Sequence, residues 1–256
     1  MKAAAFEHAR PASLADAVSL LREGARVLAG GQSLGPMLNL RLAQPRMLVQ
    51  VNRLQELCGV AADDGAVTIG ACVTHAAIAD GLVPDIGGGV LARVAEGIAY
   101  RAVRNRGTIG GSLCHADPAA DWVTVLTVLD AAVVLHGPSG DRELRMVDFV
   151  RGAFQTALES GEILRAVRVP RLSVDARWGY EKACRKPGDF AHAMAAVLIR
   201  GGQRRAVIGA MGGKPLLLEG GAASDAGALH ALQYLDPVQR HMQVTVLRRA
   251  LAKAGA

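Results

Sequence analysis

Ala29-Gly30-Gly31-Gln32-Ser33-Leu34-Gly35 follows a short apolar run at 26–28 and leads into Pro36-Met37-Leu38-Asn39-Leu40, so its glycines stand where a strand turns sharply into other structure. Gly30, Gly31 and Gly35 tolerate positive φ and a close approach to the main chain, and Ser33 adds a hydroxyl donor. The segment is either an ordinary tight turn or a concave nest of N–H groups for a phosphate. Upstream, Ser13 reads as an N-cap with Asp16 three residues on, and Leu14, Ala17, Val18 and Leu21 repeat at helical spacing until Gly24 ends the helix. Downstream, 47–51 is strand-like, and 57–61 with 67–71 forms a predicted hairpin across Asp64-Gly65. This order of elements predicts an α+β or mixed α/β architecture.

A second glycine segment lies further on. Thr74 reads as the cap of a short helix reaching Asp80, and a helix is predicted over 90–99 with Val90, Leu91, Val94 and Ile98 on one face. It delivers RNRGTIGGSLCHADPAAD, residues 104–121. There Thr108 and Ile109 meet Gly110, Gly111 and the hydroxyl of Ser112, the same physical resources as the first loop. Two nests call for two anions or one long ligand, and a dinucleotide pyrophosphate with a ribityl chain and a ring system meets the second requirement with one molecule. Past this segment Asp117, before Pro118, reads as a helix cap. Asp121 is either an acid favoured by the helix dipole or an acceptor for ligand hydroxyls, and Trp122, Val125, Leu126 and Leu129 line one side of the helix that follows.

The middle of the chain reads as strands at 131–135, 144–150 and 162–170, the last ended by Pro170, with a domain boundary just after it. Beyond come Tyr180-Glu181-Lys182, a turn at 186–190, an apolar run at 195–199, a loop at 220–227 and a basic helix from about Pro237 to Ala254.

Composition bounds the function. With 256 residues, 51% of them hydrophobic, the chain can bury a real core, and its length predicts two domains or one subdivided domain. The first ten residues carry Glu7, His8 and Arg10 before any apolar run, which fails the secretory pattern, and no stretch is apolar long enough to span a bilayer. A soluble, cytoplasmic protein with no membrane span is expected. Cys58, Cys72, Cys114 and Cys184 show no C-x-x-C spacing, so no iron–sulfur, zinc or disulfide framework is predicted in this chain. The formal charge of +6 comes with only 4% aromatic residues, which argues against nucleic acid and fits an anionic ligand or an acidic partner subunit. The seven histidines show no H-E-x-x-H spacing, and His115 reads as a loop hydrogen-bonding residue.

AGGQSLGPMLNLRLAQP and RNRGTIGGSLCHADPAADW, with the later EILRAVRVP and YEKACRKPGDFAHAMAAV, resemble the FAD-binding medium subunit of molybdenum hydroxylases of the carbon monoxide dehydrogenase and xanthine dehydrogenase type, in order and over nearly the whole chain. The resemblance implies an α+β fold: a PCMH-type, two-part FAD-binding domain over 1–170, with sub-parts at about 1–52 and 53–170, and a small C-terminal domain over 171–256 made of an antiparallel sheet with helices. It implies that Ala29, Gly30, Gly31, Gln32, Ser33, Leu34 and Gly35, together with Thr108, Gly110, Gly111 and Ser112, wrap the FAD pyrophosphate, and that Asp121 meets the polar chain of the flavin. Ile98 and Leu164 match apolar positions near the flavin, Lys182 matches a cofactor-contacting lysine, and Tyr180 is either a core aromatic or a residue against the isoalloxazine ring.

By the same resemblance the chain is an electron-transfer subunit with no catalytic residue and no metal ligand of its own. A large subunit with a molybdopterin cofactor oxidises substrate, a small subunit with two [2Fe–2S] clusters relays electrons to FAD, and an external acceptor receives them. The implied assembly is a dimer of heterotrimers. Family members often carry Asp or Asn where this chain has Ser112, and the chain has none of the cysteine sets or extensions that would house the other cofactors. Two other readings are a self-contained FAD oxidase or dehydrogenase of the PCMH superfamily and a non-catalytic nucleotide-binding assembly subunit. The absence of an acid–base set counts against the first, and the presence of both glycine loops against the second.

Overall fold

The computed structural model describes residues 2–21 and 24–256. Three strands near the N-terminus, β1 (Glu7–Ala9), β2 (Ala25–Leu28) and β3 (Met47–Gln50), form a parallel sheet in the order β1-β3-β2. The helix α1 (Leu14–Leu20) follows β1, and the Ser13 hydroxyl caps it by accepting from the Asp16 N–H. It ends at Leu20 rather than at Gly24, whose φ of +83° turns the chain into β2. Residues 22–23, between the two, lie outside the described residues. The sheet is buried on both faces. Leu14 and Ala17 pack with Val49 and Val51 on one side, and on the other Leu48 meets Leu38 from the helix α2 (Leu34–Asn39).

The central part is a five-stranded antiparallel sheet. The turn α3 (Gln55–Cys58) leads to β4 (Val60–Ala62) and β5 (Ala66–Gly70), and the expected hairpin forms with Val60 opposite Ile69. Residues 57–58 are helical rather than extended because Leu54 and Leu57, three apart, both enter the N-terminal core. Short helices follow: α4 (His75–Ala79), capped by the Thr74 hydroxyl, α5 (Val90–Glu96), α6 (Arg101–Arg104), α7 (Ile109–His115) and α8 (Asp121–Val128). The helix predicted over 90–99 stops at Glu96, since Ala99 adopts a φ of +45° that no helix can continue through.

Next come β6 (Ala132–Gly137), β7 (Gly140–Arg145), α9 (Met146–Phe149), the small pair β8 (Val150–Gly152) and β9 (Gln155–Thr156), and β10 (Ile163–Pro170). The sheet order is β4-β5-β10-β6-β7. The strand expected at 144–150 breaks after Arg145. Met146 and Phe149 are both buried, and their three-residue spacing needs a helical turn. Trp122 of α8, fully buried, packs in the same core as Val67, Val133 and Val167.

The C-terminal part is an antiparallel meander of β11 (Arg177–Ala183), β12 (Ala193–Arg200), β13 (Gln203–Gly209) and β14 (Leu216–Glu219). The continuous apolar run of β12 reflects burial on both faces. Ala195 and Val197 pack beneath α11 (Pro237–Lys253), whereas Ala196 and Leu198 join the central core. The segment read as a loop at 220–227 contains α10 (Asp225–Ala231), capped by Ser224. No described helix is long and apolar enough to cross a membrane.

Helix α11 lies so close to β11 that a Cβ on Gly179 would collide with the Ala250 carbonyl oxygen and sit 3.0 Å from the Ala254 nitrogen. Gly179→Ala is expected to cost about 1–3 kcal/mol through forced displacement of α11. Urea unfolding of the full chain reads this directly, and an unchanged midpoint would mean that the helix can move freely.

Candidate functional site

Strands β2 and β3 end side by side, with Leu28 opposite Gln50 and the Val51 N–H donating to the Leu28 carbonyl at 3.0 Å. The carboxyl ends of parallel strands are where open sheets take ligands, because the departing loops diverge there. A cleft of about 310 Å³ opens at this edge. Gly30, Gln50, Asn52 and Arg53 line it from the parallel sheet, and Cys72, Thr74, Asn105, Arg106 and Thr108 line it from the central part. Burial pushes the Cys72 thiol up to about 12, so it stands in the wall as an uncharged group. The Gln50 amide donates to Asn52 Oδ1 at 2.8 Å and accepts from Arg10 Nε at 3.2 Å, which holds the Asn52 side chain at the rim.

The first glycine loop carries the resources expected of it. Gly31 takes a φ of +70°, and the N–H groups of Gly30, Gly31, Gln32 and Ser33 meet no acceptor among the described residues. The Gln32 side chain folds back to the Gly30 carbonyl at 3.0 Å, and Gly35, at the start of α2, has open space on its Cβ side. Ser33 precedes α2 without capping it through its side chain, which leaves the hydroxyl to other partners. Ala29 and Leu34 are half-buried at either end of the loop.

The second glycine segment begins a helix, and its N–H groups have acceptors within the protein. Thr108 is the N-cap of α7, so Thr108, Gly110, Gly111 and Ser112 belong to a helix start. The N–H groups of Ile109 and Gly110 donate to Val73 and Ala71 carbonyls, that of Gly111 to the Thr108 hydroxyl, and that of Ser112 to the Thr108 carbonyl. Its glycines answer to packing. A Cβ on Gly110 would stand 2.7 Å from the Ala71 carbonyl oxygen, and one on Gly111 would stand 2.8 Å from the Thr108 hydroxyl. The segment backs the cleft, and Thr108 is its contribution to the lining.

His75 holds this wall in place. Its N–H donates to the Gly107 carbonyl, its ring packs where a Gly107 side chain would be, and its Nδ1 accepts from the Trp122 indole at 3.1 Å. Burial, with Arg104 nearby, pulls its pKa down to about 4, so the ring is neutral near pH 7 and accepts through Nδ1.

The remaining predicted residues gather elsewhere. Asp121, at the start of α8, accepts on Oδ1 from Lys182 Nζ at 2.8 Å and from the Tyr180 hydroxyl at 2.7 Å, and Lys182 also donates to the Gly97 carbonyl at 3.0 Å. Burial first, and then the Asp121 carboxylate, push the Tyr180 phenol well above its ordinary pKa. This cluster joins α8, β11 and the end of α5 and is separate from the cleft lining. Ile98, beside Gly97, is half-buried against the central core and bridges to Gly188. Leu164 is 3% exposed in β10, opposite Leu135. Asp117 does not cap α8. It closes a local turn by accepting from the Ala119 N–H, because Pro118 is followed by two further non-helical residues. His115 packs against Phe154 with ring centroids 5.1 Å apart.

Asn52, Arg53, Thr74, Asn105 and Arg106 were not singled out from the sequence as site residues. Two signals were available: Asn52 and Arg53 lie just beyond a parallel strand, and Asn105 and Arg106 sit inside the basic run that leads into Thr108. No group of three or more potential metal-ligating side chains occurs among the described residues.

A family model described as the FAD binding domain in molybdopterin dehydrogenase matches residues 4–172. The chain is 39% identical over 198 residues to the carbon monoxide dehydrogenase medium chain of Hydrogenophaga pseudoflava, covering 76% of this chain and 69% of that one. It is 34% identical over 283 residues to the 6-hydroxypseudooxynicotine dehydrogenase complex subunit alpha of Paenarthrobacter nicotinovorans, covering 99% and 96%. Among solved structures, a chain of the Hydrogenophaga pseudoflava carbon monoxide dehydrogenase lacking the Mo-pyranopterin moiety superposes with a TM-score of 0.91 at 34% identity, covering 100% of this chain and 99% of that one.

The neutral His75 sets a pH dependence. The unfolded chain binds a proton at this histidine below about 6.5, and the folded chain does so only near pH 4, so the stability is complete above pH 6.5 and falls as pH drops through that window. The loss expected from this group is about 3 kcal/mol. Comparing urea unfolding of wild type and His75→Gln at pH 7.5 and 4.5 measures it, and parallel pH slopes would refute it.

Proposed function

The chain belongs to the family of FAD binding domains of molybdopterin dehydrogenases, and on that premise we propose that it carries FAD and transfers electrons within a heteromeric molybdenum hydroxylase. Its relatives are named as a medium chain and as a subunit of a complex, and those names point to different substrates, carbon monoxide and 6-hydroxypseudooxynicotine. Substrate oxidation in this reading belongs to a large molybdopterin-bearing subunit, and a small subunit with two [2Fe–2S] clusters delivers the electrons. The chain divides in this reading into a FAD-binding domain over 1–170 and a further domain over 171–256. An external acceptor takes the electrons, and the assembly is a dimer of heterotrimers.

One observation carries the reading: four consecutive N–H groups, Gly30 to Ser33, face no acceptor among the described residues at the mouth of a cleft that contains no carboxylate. Unanswered donors of that kind fit a pyrophosphate and its flanking hydroxyls. When bound, FAD supplies the redox chemistry that joins one-electron donors to a two-electron acceptor. The chain's own residues bind and orient. The 29–35 loop holds negative charge, Thr108 and Thr74 offer hydroxyls to the ligand's polar stretch, and the wall braced by His75 fixes the distance between the loops. The Asp121–Lys182–Tyr180 cluster, which ties α8 and the end of α5 to β11, sets how the C-terminal sheet sits beside the 97–99 segment.

The purified full chain is expected to bind FAD at one equivalent, read by quenching of flavin fluorescence. Gly31→Val should weaken binding at least about tenfold, since a β-branched residue resists the +70° φ that aligns the loop's N–H groups. A folded wild-type chain that leaves FAD fluorescence unchanged at saturating protein would refute the assignment.

A further inference from the structure

Several arginines of this protein are answered by acids. Arg101 pairs with Asp80, Arg142 with Glu162, Arg145 and Arg205 with Asp130, and Arg248 with Asp225. Arg53 and Arg106 differ. Both line the cleft, neither side chain forms an ion pair or a hydrogen bond among the described residues, and no Asp or Glu shares the lining. They come from opposite walls: Arg53 follows β3 of the parallel sheet, and Arg106 precedes Thr108 in the central part. Two arginines that line one cleft from opposite sides, with no acid beside them, suit an anion held between them.

We propose that Arg53 and Arg106 form a two-sided clamp on the diphosphate of the ligand and thereby set the preference for a dinucleotide flavin over a mononucleotide or an unphosphorylated one. This rests on the FAD reading above and adds to it the groups that answer the charge. The backbone supports the geometry. A Cβ on Gly30 would overlap the Arg106 carbonyl oxygen, so the first loop and the Arg106 backbone touch directly, and the Arg106 side chain leaves from that seam. A planar guanidinium presents paired donors to phosphate oxygens, which gives one arginine for each phosphate of a diphosphate. The second glycine segment, with its N–H groups at 109–112 already donated within the protein, leaves charge for these side chains and the first loop to answer.

The test uses the full chain and dissociation constants for FAD, FMN, riboflavin, ADP and adenosine, measured for wild type, Arg53→Gln, Arg106→Gln, Arg106→Lys and the control Arg101→Gln. Each Gln variant is expected to weaken FAD and ADP about tenfold or more, as for the loss of a charged hydrogen bond, and to leave riboflavin and adenosine unchanged. Arg106→Lys should recover part of the loss, the control should match wild type, and FAD binding by the Gln variants should be less sensitive to salt. Melting temperatures of the Gln variants close to the wild-type value separate lost binding from lost fold, since both side chains are exposed and make no ion pair or hydrogen bond among the described residues. FAD and ADP affinities equal to wild type in both Gln variants would overturn the clamp while leaving the FAD assignment standing. Wild type that binds ADP but not FAD would overturn the flavin assignment alone, and wild type that binds neither would overturn both.

Discussion

The contact on which the site depends is between two backbones. The Arg106 carbonyl occupies the space where any side chain at residue 30 would begin, so the loop after β2 and the segment before Thr108 meet at atomic contact with nothing between them. Only glycine permits that approach. Because Gly30 belongs to the parallel sheet and Arg106 to the central part, this seam brings Gln50, Asn52 and Arg53 to face Thr74, Asn105 and Thr108 across one cleft. His75 reinforces the far side: it is held by Trp122 and Gly107 and kept neutral by burial, so the wall is set by packing before any ligand arrives.

The two glycine segments have similar composition and opposite roles. Residues 30–33 keep their N–H groups unanswered, whereas residues 109–112 donate theirs to Val73, Ala71 and Thr108. One loop keeps free donors and the other is tied to its neighbours. The difference comes from neighbours. The 107–110 segment runs against 71–75 and bonds to it, while the 30–33 loop leaves the end of a parallel strand with open space ahead. The cleft lining carries two arginines and, among the described residues, no acid.

Asp121 and Lys182, which look like ligand contacts in the sequence, form a buried ion pair with the Tyr180 hydroxyl and the Gly97 carbonyl. Breaking one partner of such a cluster leaves a buried charge uncompensated, so these residues tie the C-terminal sheet to α8 and the end of α5. That sheet is continuous with the rest of the molecule. Ala196, Leu198 and Val207 enter the central core while the alternate residues lie beneath α11.

The sequence by itself determined what depends on local chemistry and pattern. The caps at Ser13 and Thr74, the strand at 47–50, the hairpin into β5, the strand ending at Pro170 and the long basic helix near the C-terminus all follow from residues within one turn or one ladder. The family motifs added the cofactor, since their order along the chain is itself a local record. The tertiary structure alone decided where helical turns interrupt apparent strands, as at Leu57 and at Met146 to Phe149, because burial of residues three apart overrides extended propensity. It also decided which glycine N–H groups stay unanswered and which are donated within the protein, and which arginines remain unpaired. A glycine's neighbours and an arginine's partner are set by segments distant in the chain, as Arg53 and Arg106 are, and the charge of a site becomes visible only when those segments share a wall.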